Sequence, residues 1–110
     1  MMNQIKSALG MGGPKRSPDE QKRVEQEAKQ LTLYHFPSCP FCMRTRQKIK
    51  QLDVPIREKD INQDPAAREE LIEGGGKKTV PCLRIDSDEG TQWMYESADI
   101  NRYLEQRFGA

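Results

Sequence analysis

Apolar positions are sparse up to about residue 30 and regularly placed after it. Residues 1–16 contain Gly10, Gly12, Gly13 and Pro14 and show no lasting period, so a flexible arm is expected there. Ser17-Pro18-Asp19-Glu20 reads as a helix start. Ser17 can cap, Pro18 suits the first helical position, and two acids favour the positive end of the dipole. The pattern predicts a helix over residues 17–30 whose apolar positions are only Val24 and Ala28, a solvated surface helix with little to bury.

From Leu31 the pattern changes. Leu31-Thr32-Leu33-Tyr34-His35-Phe36 is short, β-rich and closed by Pro37, which predicts a strand. A helix follows from the Cys39-Pro40-Phe41-Cys42 segment to about Leu52, with Ile49 and Leu52 at helical spacing. A second strand is expected from Val54 to about Ile61. Asp64-Pro65 then starts a helix with Leu71 and Ile72 facing the core, stopped by Gly74-Gly75-Gly76. Pro81–Ile85 and Thr91–Tyr95 read as strands joined by a polar turn. Ile100, Tyr103, Leu104 and Phe108 form one apolar stripe on a last helix over 97–108. The order βαβαββα predicts an α/β fold over residues 31–110, with a parallel strand pair and a final hairpin. Trp93 and Tyr95 are expected to pack that hairpin against the last helix, and His35 to lie on the strand surface.

Composition narrows the picture. A chain of 110 residues is the size of one compact domain. Its net charge of +1 exerts no global pull on nucleic acid or membrane, and neither partner is expected. An apolar fraction of 35% against 32% charged fits a core diluted by solvated segments. No apolar run approaches the roughly 20 residues that span a bilayer. Met1-Met2-Asn3-Gln4-Ile5-Lys6 lacks the pattern of a signal peptide, so a cytoplasmic location is expected. In a reducing compartment the Cys39/Cys42 pair is catalytic or metal-binding rather than a structural staple.

Thiol–disulfide exchange needs a thiolate, whereas a free cysteine of pKa about 8.5 is mostly protonated at neutral pH. Cys39 stands where the first strand gives way to a helix, whose N-terminal amides and dipole favour negative charge. Pro40 fits the first helical position without wasting a donor. Cys42 lies one turn deeper, so the two sulfurs can meet while only Cys39 faces solvent. Arg44, Arg46, Lys48 and Lys50 spread around the helix and form mainly a solvated face. A lone CxxC could also be half a zinc site, but there is no second CxxC or His pair. No metal is therefore expected. Cys82 reads as a buried small hydrophobe.

Cys39-Pro40-Phe41-Cys42 after a first strand, Thr79-Val80-Pro81 before a third, and the βαβαββα order together resemble a glutaredoxin of the thioredoxin superfamily. The resemblance covers about Gln30 to Phe108. It implies a thioredoxin-like fold and a dithiol pair in which Cys39 is the nucleophile and Cys42 its partner. It also implies a cis Pro81 that leaves the Val80 backbone free to pair with glutathione. Phe41 stands where the family often has Tyr and belongs to the implied glutathione surface. Glu96-Ser97 with Ile100 resembles the glutathione site of glutathione transferase N-terminal domains. Ser97 and the helix amides would hold the γ-glutamyl carboxylate and Glu96 its amine, unless the pair merely caps the helix. Arg68, twelve residues before Val80, and Lys77 are candidates for the glycine carboxylate. Phe36 stands where many relatives carry a Lys.

The implied activity is that of a monomeric glutathione-dependent thiol–disulfide oxidoreductase. It would reduce protein disulfides and protein–glutathione mixed disulfides, with glutathione as reducing co-substrate. Two alternatives stand beside it. One is a glutathione-transferase-like binding module, which would lack the usual all-helical second domain because the chain ends at Ala110. The other is an iron–sulfur carrier, against which Pro40 argues, since cluster-binding relatives usually have a smaller residue there.

Overall fold

The computed structural model describes residues 16–109, so of the expected arm only Arg16 falls within the described residues. Helix α1 (Pro18–Ala28) begins with a capping box in which Ser17 and Glu20 bond each other's backbone amides. It ends two residues earlier than the sequence pattern suggests. Ala28 is buried and Val24 packs on the core edge, while Glu27 pairs with Arg107 at 3.1 Å. Arg16 is anchored: its guanidinium donates to the Phe108 carbonyl at 2.6 Å and to Gln21 Oε1 at 2.8 Å.

Strands β1 (Leu31–His35), β2 (Arg57–Asp60), β3 (Cys82–Ser87) and β4 (Gly90–Tyr95) form one sheet in the order β2-β1-β3-β4. β1 runs parallel to β2 and antiparallel to β3, which forms the expected hairpin with β4. Helices α2 (Pro40–Leu52) and α4 (Ser97–Phe108) cover one face, and α3 (Pro65–Glu70) with a wider π-helical turn, Leu71–Gly75, covers the other. The first face is the larger core, built by Leu31, Leu33, Ile49, Leu83, Ile100 and Leu104 among others. The second gathers Tyr34, Ile61, Ala67, Leu71 and Cys82.

This two-sided cover corrects several expectations. All five β1 residues are buried, because a central strand covered on both faces has no solvent side. His35 is therefore not a strand-surface residue but 6% exposed. Val54 and Ile56 are buried before β2 begins; a tight turn around Pro55, with the Ile56 N–H donating to the Val54 carbonyl at 2.8 Å, keeps them out of the ladder. Leu71 is fully buried but Ile72 is 43% exposed, since successive residues of a helical turn point in different directions.

Trp93 and Tyr95 do not pack against the last helix. Alternation sends them to the α3 face, while Met94 between them meets the α4 core. Gly74 and Gly75 make this possible: a Cβ at Gly74 would run into the Trp93 ring, and one at Gly75 into the Tyr95 hydroxyl. Tyr34 donates to Glu70 at 2.8 Å and Lys59 pairs with the same carboxylate at 2.9 Å, tying α3 to the sheet. These two bonds hold the Glu70 carboxyl below its usual pKa, the Lys59 bond contributing most.

Candidate active site

The site starts at the junction between β1 and α2. Pro37 follows the buried strand, and the chain turns so that Cys39 N–H donates to the Phe36 carbonyl at 3.2 Å. Phe36 is half-buried against the second cluster and offers no cation there. Cys39 is the N-cap of α2, with Pro40 at the first helical position as expected. Its sulfur accepts the Cys42 N–H at 3.2 Å. The Cys39 sulfur thus sits at the positive end of a 13-residue helix, against one of its unpaired amides.

Cys42 is fully buried below it. Burial, reinforced by a hydrogen bond with Cys39, pushes the Cys42 thiol up to about 12. Both cysteines are free thiols. The expectation that Cys39 faces solvent needs correction: it is only 7% exposed, because the loop before β3 folds over it. Its sulfur lies 4.0 Å from the Val80 carbonyl. The Val80–Pro81 peptide is cis, Pro81 is buried, and Val80 lies outside the ladder that begins at Cys82. Cys39, Cys42, Val80 and Pro81 are thus assembled at one place. Phe41 is 56% exposed beside them, with the Arg44 guanidinium 5.8 Å from its ring centre.

The remaining candidates are reached through the β3–β4 hairpin. Cys82 is buried as expected, its thiol pushed up to about 11 by burial, and it pairs in register with Tyr95. Tyr95 directly precedes Glu96, which occupies the unusual backbone region at φ 76°. Glu96, not Ser97, is the N-cap of α4, and its exposed carboxylate makes no capping bond. Ser97 is the first helical residue, so the capping role weighed for it is corrected. Lys77 is exposed, its ammonium 5.2 Å from the centre of the Tyr95 ring. Arg68 stands on the exposed surface of α3, bonded to none of the other candidates.

Pattern reasoning missed Tyr95 and the group around His35. The His35 Nε2 lies 4.0 Å from Glu58, which pairs with Arg46 at 2.8 Å. Burial and then the Arg46 charge lower the His35 pKa, outweighing Glu58 and Asp60. Arg46 is therefore an ion-pair partner rather than part of a purely solvated face. A groove of about 450 Å³ between α2 and β2, lined by Met43, Arg46, Ile49, Val54, Ile56 and Glu58, shares no candidate residue with this site.

The glutaredoxin family model matches residues 31–89, which contain the CxxC turn, the cis-proline loop and three of the four strands. The chain belongs to the glutaredoxin family. Glutaredoxin 3 of Escherichia coli is 34% identical over 57 residues, covering 52% of this chain and 69% of that protein. Among solved structures, glutathione transferase Omega 3C of Trametes versicolor superposes with a TM-score of 0.61 at 24% identity, over 80% of this chain and 38% of that one. Maleylacetoacetate isomerase of Anaeromyxobacter dehalogenans, crystallised with bound glutathione, gives a TM-score of 0.56 at 22% identity over 72% of this chain and 38% of that one. A thioredoxin-like protein gives 0.55 at 24% identity, over 67% of this chain and 99% of that one. The fold is thus thioredoxin-like, and it is shared with a glutathione transferase among the structural neighbours. The chain spans under two fifths of the transferase and of the isomerase.

Proposed function

We propose that this glutaredoxin is a glutathione-dependent thiol–disulfide oxidoreductase acting on protein disulfides and protein–glutathione mixed disulfides. One observation carries the reading: the Cys39 sulfur is held between the Cys42 amide and the Val80 carbonyl, over a Cys42 thiol that burial keeps protonated. Membership of the family and the glutathione bound to a structural neighbour support glutathione as the co-substrate.

With a protein–glutathione mixed disulfide, the Cys39 thiolate attacks the glutathione sulfur. A Cys39–glutathione disulfide forms and the protein thiolate leaves, taking a proton from water. A second glutathione thiolate then attacks, giving oxidised glutathione and regenerating Cys39. With a protein disulfide, the Cys39 thiolate attacks one protein sulfur; the protein's S–S bond breaks and the other sulfur leaves as a thiolate, which takes the Cys42 proton. The Cys42 thiolate then attacks Cys39, releasing the first protein sulfur as a thiolate that takes a proton from water and leaving a Cys39–Cys42 disulfide. Two glutathiones then reduce that disulfide and leave as oxidised glutathione. In this reading Val80 and Pro81 align the ligand backbone and Phe41 flanks it. Glu96 and Ser97 take the γ-glutamyl end, and Lys77 with Arg68 takes the glycine end. The protein acts as a monomer in the cytoplasm, in electron transfer to disulfides and cell redox homeostasis.

The test is a glutathione-coupled reduction assay with both substrate types. Cys39→Ser abolishes both activities. Cys42→Ser keeps deglutathionylation and loses reduction of protein disulfides. Equal loss in both variants on both substrates contradicts these roles. The transferase-like alternative rests on Glu96-Ser97, and conjugation of glutathione to an electrophile by Cys39→Ser would favour it.

A further inference from the structure

Tyr95 touches both halves of the proposed glutathione site. Its hydroxyl donates to the Lys77 carbonyl at 3.3 Å, and the Lys77 ammonium lies 5.2 Å from its ring centre. One side chain thus holds the backbone and the charged tip of the same residue. On the other side Tyr95 is joined by a peptide bond to Glu96, whose backbone is held at φ 76° at the start of α4. The hydroxyl end of its ring seats against the bare backbone of Gly75, as Trp93 does against Gly74, so the end of the π-helical turn approaches the hairpin closely. Burial, with the Cys82 thiol beside it, raises the hydroxyl to about 12, so at neutral pH it remains a donor.

We propose that Tyr95 is a positioning residue for glutathione, setting the separation between Lys77 and Glu96-Ser97 so that both ends of one tripeptide are met together. The inference rests on the glutathione reading above and names a residue that this reading does not use. Tyr95 need not touch the ligand. Its hydroxyl fixes where the 77–80 loop lies, and its ring face holds the Lys77 ammonium against the hairpin, where a carboxylate can meet it. A looser loop would pay ordering entropy on each binding event and so weaken affinity without altering the reaction at Cys39.

The experiment measures KM and kcat for glutathione with a mixed-disulfide substrate in wild type, Tyr95→Phe, Tyr95→Leu, Lys77→Ala and the Tyr95→Leu/Lys77→Ala double variant. Melting temperature and the fluorescence of Trp93, the only tryptophan, monitor packing. Tyr95→Phe keeps the ring and loses one hydrogen bond, so KM rises roughly three- to tenfold with kcat unchanged. Tyr95→Leu raises KM further, and in that background Lys77→Ala has a smaller effect than in wild type. An unmoved KM in Tyr95→Phe, with or without a lower melting temperature, makes Tyr95 a packing residue and overturns the proposal. So does an equal Lys77→Ala effect in both backgrounds. Should Tyr95→Leu fail to fold, Tyr95→Phe decides by itself. A wild type that shows no dependence on glutathione overturns the functional reading and this inference with it, whereas saturable wild-type use with unmoved variants overturns this inference alone.

Discussion

Replacing Ser97 by alanine separates ligand binding from helix capping. A hydroxyl that bonds the γ-glutamyl carboxylate makes a hydrogen bond to a charged group, which contributes about 1.5–3 kcal/mol. Its loss raises the glutathione KM roughly 10- to 100-fold. The structural cost is small for a reason specific to this fold. Ser97 is the first helical residue of α4, the N-cap is Glu96, and neither supplies a side-chain cap that alanine would remove. The usual penalty of about 1 kcal/mol for a lost cap therefore does not apply, and alanine is the better helix former. For a domain of this size 1 kcal/mol corresponds to about 4–8 °C, so the melting temperature of Ser97→Ala should stay within about 2 °C of wild type. The assay pairs glutathione saturation kinetics with a thermal melt. An unchanged KM refutes the assignment of Ser97 to the ligand. A melting temperature lowered by about 5 °C would refute the reading of the helix start.

Gly75→Ala places a methyl group against the Tyr95 hydroxyl and should cost about 1–3 kcal/mol, seen as a lower melting temperature that Tyr95→Leu partly restores. His35 is held neutral by burial, its pKa lowered from 6.5, so the unfolded chain takes up the proton first as pH falls. The stability it contributes is complete above 6.5 and is lost as pH drops through the folded value. Urea unfolding at about pH 7.5 and about pH 5.5 should show that decline in wild type and a shallower one in His35→Gln. Removing residues 1–15 should leave turnover close to wild type. Removing Arg16 as well breaks its bonds to Phe108 and Gln21 and should lower stability by about 1 kcal/mol in a thermal melt.

Local chemistry was enough to reveal much of this protein. The punctuation by Ser17-Pro18, Pro37, Asp64-Pro65 and the triple glycine, with the apolar stripe ending at Phe108, determined element order within a few residues. These are short-range effects of fixed φ, missing donors and helical period, and they act in any context. The CxxC pair at a strand–helix junction likewise marked the candidate site, because a helix N-terminus creates its own electrostatics, whereas Thr79-Val80-Pro81 was legible only through the resemblance to glutaredoxins. The tertiary structure alone decided which face each residue meets. Covering the sheet on both sides buried His35. The same cover turned Trp93 and Tyr95 toward Gly74 and Gly75, some twenty residues earlier in the chain. The loop before β3 nearly buried Cys39. Each of these depends on contacts between segments far apart in sequence, and neither period nor spacing encodes which distant segment supplies the covering surface.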